Sequence, residues 1–290
     1  MNEKNHILIL GGTGFLGKSL NKSEISNKFK LTNISSKVLD LRQNNIVEKL
    51  VDLYNENSTI IFLSAVKRNL GDSLSTYEMN LKIGINVIKA IQKKPVKNLI
   101  YLSSCAVYGE RNNQLNFTES SKINPTSFYG ASKVAIEELL NLIKNRNQIE
   151  NLIILRPTTI YGDINIPTYC PSGFIGSAIK EKKIDLWGDG NETRDFFYIN
   201  DFVEVIENIL DNPTNLILNL CSGKSTTFNQ LANKILFHLK KTEIKSKPRT
   251  NNFVNHTYNN KKLKKQITNL KIQNPIDWID YFFKNSFHQN

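Results

Sequence analysis

Seven residues near the amino terminus, Gly11-Gly12-Thr13-Gly14-Phe15-Leu16-Gly17, restrict the fold more than any other part of the chain. They follow the apolar run His6 to Leu10 and open a helical stretch, Gly14 to Leu20. Glycines at these spacings let the backbone turn sharply and leave N–H groups open to an anion at a helix start. Strand, glycine loop and helix in that order predict a dinucleotide pyrophosphate as the ligand of the loop. The same rhythm continues along the chain. Apolar runs recur at Lys30 to Ile34, Ile60 to Leu63, Leu99 to Ser103, Leu152 to Leu155 and Leu216 to Leu220. Helical patterns occupy Ile46 to Tyr54, Ser75 to Lys93, Phe128 to Lys144 and Asp201 to Leu210. Near-continuously apolar strands alternating with helices predict an α/β protein with a doubly wound parallel sheet covered on both faces. After Pro157 the rhythm breaks, with Gly, Pro, Tyr and Cys scattered over 162–173 and a short helix near Phe174 to Lys180. The expected division is therefore a dinucleotide-binding domain over 1–163 and 196–221, and a smaller C-terminal α/β substrate-binding domain over 164–195 and 222–290.

At 290 residues, with 40% hydrophobic and 22% charged content, the chain can bury a core without disulfide or metal staples. Its three cysteines, Cys105, Cys170 and Cys221, form no CxxC pair, so neither a zinc site nor a disulfide framework is expected, and the expected location is the cytoplasm. No signal peptide is expected at Met1 to Leu10. Apolar stretches such as Ile60 to Val66 fall far short of the roughly 18 residues that span a bilayer, so no membrane partner is expected. The net charge of +12 is concentrated in the C-terminal quarter, where Lys234 to Lys271 holds 11 Lys or Arg against one acid, Glu243. Aromatic residues do not alternate with these cations, so the segment reads as an anion-facing surface, and nucleic acid is not an expected partner.

Chemistry is carried by two further segments. In Tyr129-Gly130-Ala131-Ser132-Lys133 the tyrosine and lysine are four apart and share one helix face. A phenol titrating near 10 needs a cation close by to act as an acid/base at neutral pH, and an ammonium at i+4 supplies one. Leu102-Ser103-Ser104-Cys105-Ala106-Val107-Tyr108-Gly109 lies at the carboxyl end of a parallel strand, where open α/β sheets place their ligands. A serine hydroxyl there can donate to a substrate oxygen while the tyrosine moves the proton.

With these motifs the sequence resembles the extended short-chain dehydrogenase/reductase family, in its NAD(P)-dependent nucleotide-sugar epimerase/dehydratase branch. The resemblance covers nearly the whole chain: GGTGFLG at 11–17, LSSCAVYG at 102–109, Thr118-Glu119 followed by Pro125, YGASK at 129–133, LRPTTIYG at 155–162, and the stretch Trp187 to Asp201, which resembles the GDGxxxRDFxYVxD segment of that branch. It implies a Rossmann sheet, with Tyr129 as catalytic acid/base, Lys133 holding the nicotinamide ribose and tuning Tyr129, and Ser104, by its distance to Val107-Tyr108-Gly109, polarising the sugar oxygen. Cofactor contacts are implied for Gly11, Thr13, Gly14, Phe15, Leu16 and Gly17 of the loop, for Asp40 and Leu41 in Leu39-Asp40-Leu41 read as a strand end, and for Lys67, Tyr129, Lys133 and Pro157. Substrate contacts are implied for Ser104, Thr159, Arg194 on the pyrophosphate, and Arg249. The implied partners are a nucleotide-diphosphate sugar and a second copy in a homodimer formed through the YxxxK helix and the helix at Ser75 to Lys93.

Departures narrow the reaction. Cys105-Ala106 replaces the acidic pair of 4,6-dehydratases, which disfavours dehydration; Cys105 is one position off the register of the 3,5-epimerase/4-reductase cysteine, and none of His6, His238, His256 or His288 lies in a matching motif. Strand Lys30 to Ile34 ends in Ser35-Ser36-Lys37 rather than in the acid that accepts a ribose 2′-OH, which favours NADP, while Ser-Ser-x-Ala-Val-Tyr-Gly with Lys67 fits an NAD-retaining 4-epimerase equally well. Thr159 stands where many family members carry asparagine. The expectation is an NAD(P)-dependent enzyme acting at the sugar C4, a 4-keto reductase or 4-epimerase in surface-glycan precursor synthesis. Two alternatives are a non-catalytic dinucleotide sensor, opposed by the intact Tyr129, Lys133 and Ser104, and a reductase of small lipophilic ketones, opposed by the GDGxxxRDF segment.

Overall fold

Ile7, Leu8, Ile9 and Leu10 are fully buried, because a strand flanked by partners on both edges and helices on both faces has no side that meets water. This strand, β1 (His6–Leu10), is the axis of the architecture. The computed structural model describes residues 5–109, 115–162, 170–249 and 253–286, so the expectation concerning His288 lies outside the described residues. In chain order the following elements are α1 (Phe15–Asn21), α2 (Ile25–Lys28), β2 (Lys30–Ile34), α3 (Val47–Val51), β3 (Thr59–Phe62), α4 (Leu74–Lys93), β4 (Val96–Leu102), α5 (Phe128–Lys144) and β5 (Ile149–Pro157). Then come β6 (Thr159–Tyr161), α6 (Ser172–Glu181), β7 (Lys183–Trp187), β8 (Thr193–Tyr198), α7 (Ile199–Asp211), β9 (Leu216–Leu220), β10 (Ser225–Thr227), α8 (Phe228–His238), β11 (Glu243–Lys247), α9 (Lys261–Gln266) and α10 (Pro275–Ser286).

Six strands form one sheet in the order β2-β1-β3-β4-β5-β9. The pairs β1–β2, β1–β3, β3–β4 and β4–β5 are all parallel, in registers that set Leu10 beside Phe62, Phe62 beside Tyr101 and Tyr101 beside Ile154. The carboxyl ends of β1, β3, β4 and β5 therefore lie side by side. The expected doubly wound parallel sheet is present, and its order reverses at β1, the point where such sheets open a crevice for ligands. One expectation is corrected: Leu39-Asp40-Leu41 is not a strand end. Val38 and Leu39 donate their N–H groups to Ser35 O at 3.0 and 2.9 Å, so the chain turns immediately after β2 and the sheet ends there.

The chain folds as two compact units. Among the described residues, the first comprises 5–109, 122–156 and 203–218, and the second 115–121, 157–162, 170–202, 219–249 and 253–286. In the first, α4 and α5 are the principal cover of the sheet. Ser73 caps α4 through a reciprocal pair with Thr76, and Ser127 caps α5 by accepting the Gly130 N–H at 3.0 Å. Ile83, Val87 and Ile91 of α4 and Ile136, Leu140 and Ile143 of α5 bury their apolar stripes in one core with Leu8, Ile60 and Leu99, at about 1.5–3 kcal/mol for each large side chain buried. The second unit has its own core, in which Tyr161, Phe196, Leu231, Ile235 and Trp278 pack together, and it carries a three-stranded sheet β10-β8-β6 and a parallel pair β11-β7.

Candidate active site

At the reversal point the chain leaves β1 through Gly11, whose φ of +94° is closed to ordinary side chains. Ile34 O accepts both the Gly11 and Gly12 N–H groups, at 2.9 and 3.1 Å, and Gly11 O accepts Gly14 N–H at 3.0 Å. A Cβ on Gly17 would stand 2.5 Å from Gly12 Cα, so loop and helix touch backbone to backbone. Asn21 holds the loop from behind, donating to Gly12 O at 3.1 Å and exchanging side-chain hydrogen bonds with Asn33 at 3.0 and 2.8 Å. Thr13 and Gly14 are exposed at the tip, with Phe15 and Leu16 half-buried behind them. The loop is packed too closely for side chains at Gly12 and Gly17, and a tight glycine turn that opens a helix fits a dinucleotide pyrophosphate.

The other positions expected to meet a dinucleotide stand on the loops after β2 and β3. Ser36, Lys37 and Lys67 are exposed, Ser35 is half-buried and Leu41 is buried. Asp40 is gripped by Arg42, whose Nε and Nη2 reach the carboxylate at 2.9 and 2.7 Å and whose backbone N–H adds a third bond at 3.0 Å. These bonds, with the side-chain one largest, hold the Asp40 carboxyl below the usual carboxylate range. Pro157, the last residue of β5, is buried.

The end of β4 separates the two serines. Ser103 is buried and donates to Glu137 of α5, which also takes Arg156 Nε at 3.1 Å and Arg156 Nη2 at 2.6 Å; Arg156 Nη1 then donates to Tyr108 Oη at 2.9 Å. Ser103 is thus spent on a buried ionic network. Ser104, half-buried, begins a 3₁₀ turn over Cys105–Tyr108 and accepts the Ala106 N–H at 3.1 Å, which leaves its own proton for another acceptor. Against that turn lies the first turn of α5. A Cβ on Gly130 would come within 2.6 Å of Ala106 O, so only glycine lets α5 approach this closely.

Tyr129, Lys133 and Glu137 follow one another on one face of α5, four residues apart. Lys133 is buried, donates to Leu102 O at 2.7 Å and holds its Nζ 5.5 Å from the Tyr129 ring centroid and 5.0 Å from that of Tyr101. Burial pulls this ammonium down to about 7, with Glu137 acting in the opposite sense. Ser104, Tyr129 and Lys133 are therefore gathered where β4, the 3₁₀ turn and α5 meet. Glu137, Arg156 and Tyr101 complete the support and were not singled out from the sequence; the available signals were a glutamate eight residues after Tyr129 on the same face and an arginine closing an apolar strand.

In the second unit, Arg194 of β8 and Arg249 meet on one carboxylate. Glu192 Oε2 stands 3.8 Å from Arg194 Nη2, Oε1 pairs with Arg249 Nη1, and Oε1 also accepts the Val254 N–H at 3.2 Å. Arg194 is further fixed to Val254 O at 2.6 Å and Thr193 O at 2.9 Å, and Arg249 to Trp187 O at 3.3 Å. Beside Glu192 opens a cleft of about 370 Å³ edged by Phe174, Trp187 and Phe228. On the opposite face of β8, Asp195 is buried and accepts Ser222 N–H and Gly223 N–H at 2.8 Å each, Ser222 Oγ–H at 3.0 Å and Thr158 Oγ1–H at 3.1 Å. Burial pushes its carboxyl up to about 7, against the pull of those donors. Thr159, half-buried, pairs with Phe196 across β6 and β8. Among the described residues no group of His, Cys, Asp and Glu could hold a metal ion, and no helix is long and apolar enough to cross a membrane.

Residues 7–221 match the model of the NAD-dependent epimerase/dehydratase family. The chain belongs to that family. A Methanocaldococcus jannaschii protein provisionally named UDP-glucose 4-epimerase is 31% identical over 247 residues, 78% of this chain and 79% of that protein. The fold is shared with an NAD-dependent NDP-hexosamine 5,6-dehydratase of tunicamycin biosynthesis, at a TM-score of 0.84 and 22% identity over 99% of both chains. It is shared as well with Thermus thermophilus UDP-glucose 4-epimerase in complex with NAD, at a TM-score of 0.81 and 21% identity over 97% of this chain and 99% of that one. The relatives are nucleotide-sugar epimerases and dehydratases, as the sequence resemblance implies, and the structural neighbours use NAD.

Proposed function

We propose that this chain is an NAD(P)-dependent nucleotide-sugar 4-epimerase. The observation that carries the reading is the grouping of Ser104, Tyr129 and Lys133, with a buried ammonium fixed to Leu102 O and held against the Tyr129 ring. The name of the Methanocaldococcus jannaschii relative supports the choice of reaction, and the absence of an acidic pair at Cys105-Ala106 weighs against dehydration. The glycine loop would hold the dinucleotide together with Lys67, Leu41 and Lys133, and the nicotinamide, when bound, supplies hydride-transfer chemistry. Tyr129 takes the proton from the sugar C4 hydroxyl and returns it after the sugar has turned over; Ser104 donates its hydrogen to the same oxygen and fixes its position. In its protonated form Lys133 places a positive charge beside the phenol, which favours the phenolate during the proton transfer. Arg194 and Arg249 would grip the diphosphate, guanidinium being the planar donor suited to it, with the base lying in the cleft edged by Trp187 and Phe228. Ser35-Ser36-Lys37 offers hydroxyls and a cation to a 2′-phosphate, so NADP is taken as well as NAD.

Replacing Tyr129 by Phe should lower turnover of UDP-glucose by 10²-fold or more, the scale of a lost general acid/base, with the affinity for the nicotinamide nucleotide unchanged in a direct titration. Residual turnover near the parent rate would remove Tyr129 from this role. Mass spectrometry of the nucleotide released on denaturation then separates the two C4 reactions: a stoichiometric retained cofactor supports epimerisation, and an empty site that takes up reduced cofactor in each cycle makes the chain a 4-keto reductase.

The enzyme is further proposed to be a homodimer. Leu74 and Ile85 on α4 and Phe128 and Leu142 on α5 leave large apolar side chains in water, on the two helices that cover the same part of the sheet. A chain carrying Ile85→Glu should sediment as a monomer while the parent sediments as a dimer; equal sedimentation would place any self-association elsewhere.

A further inference from the structure

We propose that Glu192 is a built-in competitor for the diphosphate, which lowers the affinity of the arginine pair for any anion that must displace it. The inference rests on the reading of Arg194 and Arg249 as the diphosphate grip. Their two positive charges meet the single carboxylate of Glu192, one oxygen toward each guanidinium, and the Val254 N–H donates to Oε1 at 3.2 Å. The Glu192 side chain is only 13% exposed, against 29% for Arg194 and 22% for Arg249, so water screens this pairing less than an ordinary surface pair. Asp189, the other carboxylate near Arg249 at 3.6 Å, is 61% exposed and contributes far less.

The arginines do not depend on Glu192 for their positions. Arg194 keeps two backbone carbonyls and lies 5.8 Å from the Phe228 ring, and Arg249 keeps Trp187 O and lies 5.0 Å from the Phe253 ring. An incoming anion therefore exchanges for the carboxylate at guanidiniums that are already aimed. A single phosphate replaces one anion by another and gains little. Two linked phosphates answer both guanidiniums at once, each with charge-assisted hydrogen bonds, and can outbid the single carboxylate. Displacing the carboxylate costs the same free energy whichever anion does so, and the competitor therefore lowers the affinity of every such anion by a common factor.

The test is calorimetric titration of the full chain with UDP, UMP and inorganic pyrophosphate. Glu192→Gln keeps the side-chain shape and an oxygen for the Val254 N–H but removes the charge, and should bind UDP and pyrophosphate about tenfold more tightly or better, the worth of one charge-assisted hydrogen bond. UMP, which displaces the same carboxylate, should tighten by a similar factor. Asp189→Asn should change these affinities less than about twofold. Should Glu192→Gln fail to fold, judged by its melting transition, Glu192→Asp takes its place; the shorter arm withdraws the charge from Arg249 and should tighten UDP binding in the same direction. Unchanged or weaker UDP binding in a folded variant overturns the proposal. Arg194→Ala and Arg249→Ala separate this failure from that of the underlying reading: if both still bind UDP like the parent, the diphosphate grip itself is wrong and both ideas fall, whereas lost binding in these variants alongside an unchanged Glu192→Gln rejects only the competitor.

Discussion

Lys133 and Tyr101 show how a residue's surroundings, and not its identity, decide what it can do. The Lys133 ammonium is buried, has one carbonyl for a partner at 2.7 Å and lies over two phenol rings. Tyr101 is fully buried and its hydroxyl has no hydrogen-bond partner among the described residues, although its ring is well used against Phe62 at 5.2 Å and Lys133 at 5.0 Å. An unmade hydrogen bond in an apolar setting is a cost, so Tyr101→Phe should be neutral or raise stability by up to about 1 kcal/mol, measured by urea denaturation. A loss of more than that would mean the hydroxyl is satisfied in solution. At this scale the sequence was legible where a residue type has few uses. Tyr129 and Lys133, four apart on a helix, and the glycines of the loop are of that kind. It was silent on Ser103 against Ser104 as a matter of chemistry, because the difference lies in Glu137 and Arg156, which arrive from α5 and β5 and claim only the first serine. Glu192 was hidden for the same reason: a glutamate in a polar segment looks solvated until Arg194 and Arg249 are seen to converge on it.

Elements, by contrast, were largely readable. β1, β2, β9 and α5 have the ends that the apolar patterns predict, since strands buried on both faces and helices with one apolar stripe leave strong periodic signals. The exception, Leu39-Asp40-Leu41, has the apolar alternation of a strand but follows a turn closed on Ser35 O, and Asn86 of α4 takes the Leu41 and Gln43 carbonyls at 2.8 Å, where a strand neighbour would otherwise be. The packing of α5 on the 3₁₀ turn carries a prediction of its own. Gly130→Ala puts a methyl 2.6 Å from Ala106 O, against backbone and not against a side chain that could swing away. The helix start must move, at about 1–3 kcal/mol of stability. Because Tyr129 and Ser104 sit on the two surfaces being pushed apart, kcat should fall by at least about tenfold with KM nearly constant. Full activity in Gly130→Ala would show that the spacing of these two groups is not set by this contact.

For the whole molecule, two buried ionisable groups act on stability in opposite pH windows. Asp195 is raised to about 7 from its ordinary 3.8, so its folded state prefers the proton; this group costs nothing at low pH, and its penalty grows as pH rises from about 4 to 7. Lys133 is lowered to about 7 from 10.5, so its penalty is complete below 7 and is relieved as pH rises toward 10.5. Their joint contribution therefore has a minimum near neutral pH. The urea midpoint of Asp195→Asn should lose the downward slope between pH 4 and 7 that the parent shows, and an unchanged slope would assign it to other groups.

The strand order has a further consequence during synthesis. β5 ends at Pro157, and the strand at its outer edge, β9, begins only at Leu216, a step of 59 residues. At roughly 5–20 residues per second a ribosome takes about 3–12 s to cover that step. For that time a nascent chain that has already zipped β1 to β5 carries an open hydrogen-bonding edge, able to pair with a neighbouring nascent chain. Chaperone demand should thus be set by the interval between two strands, and lengthening the 157–216 segment would burden expression without touching a single contact of the finished sheet.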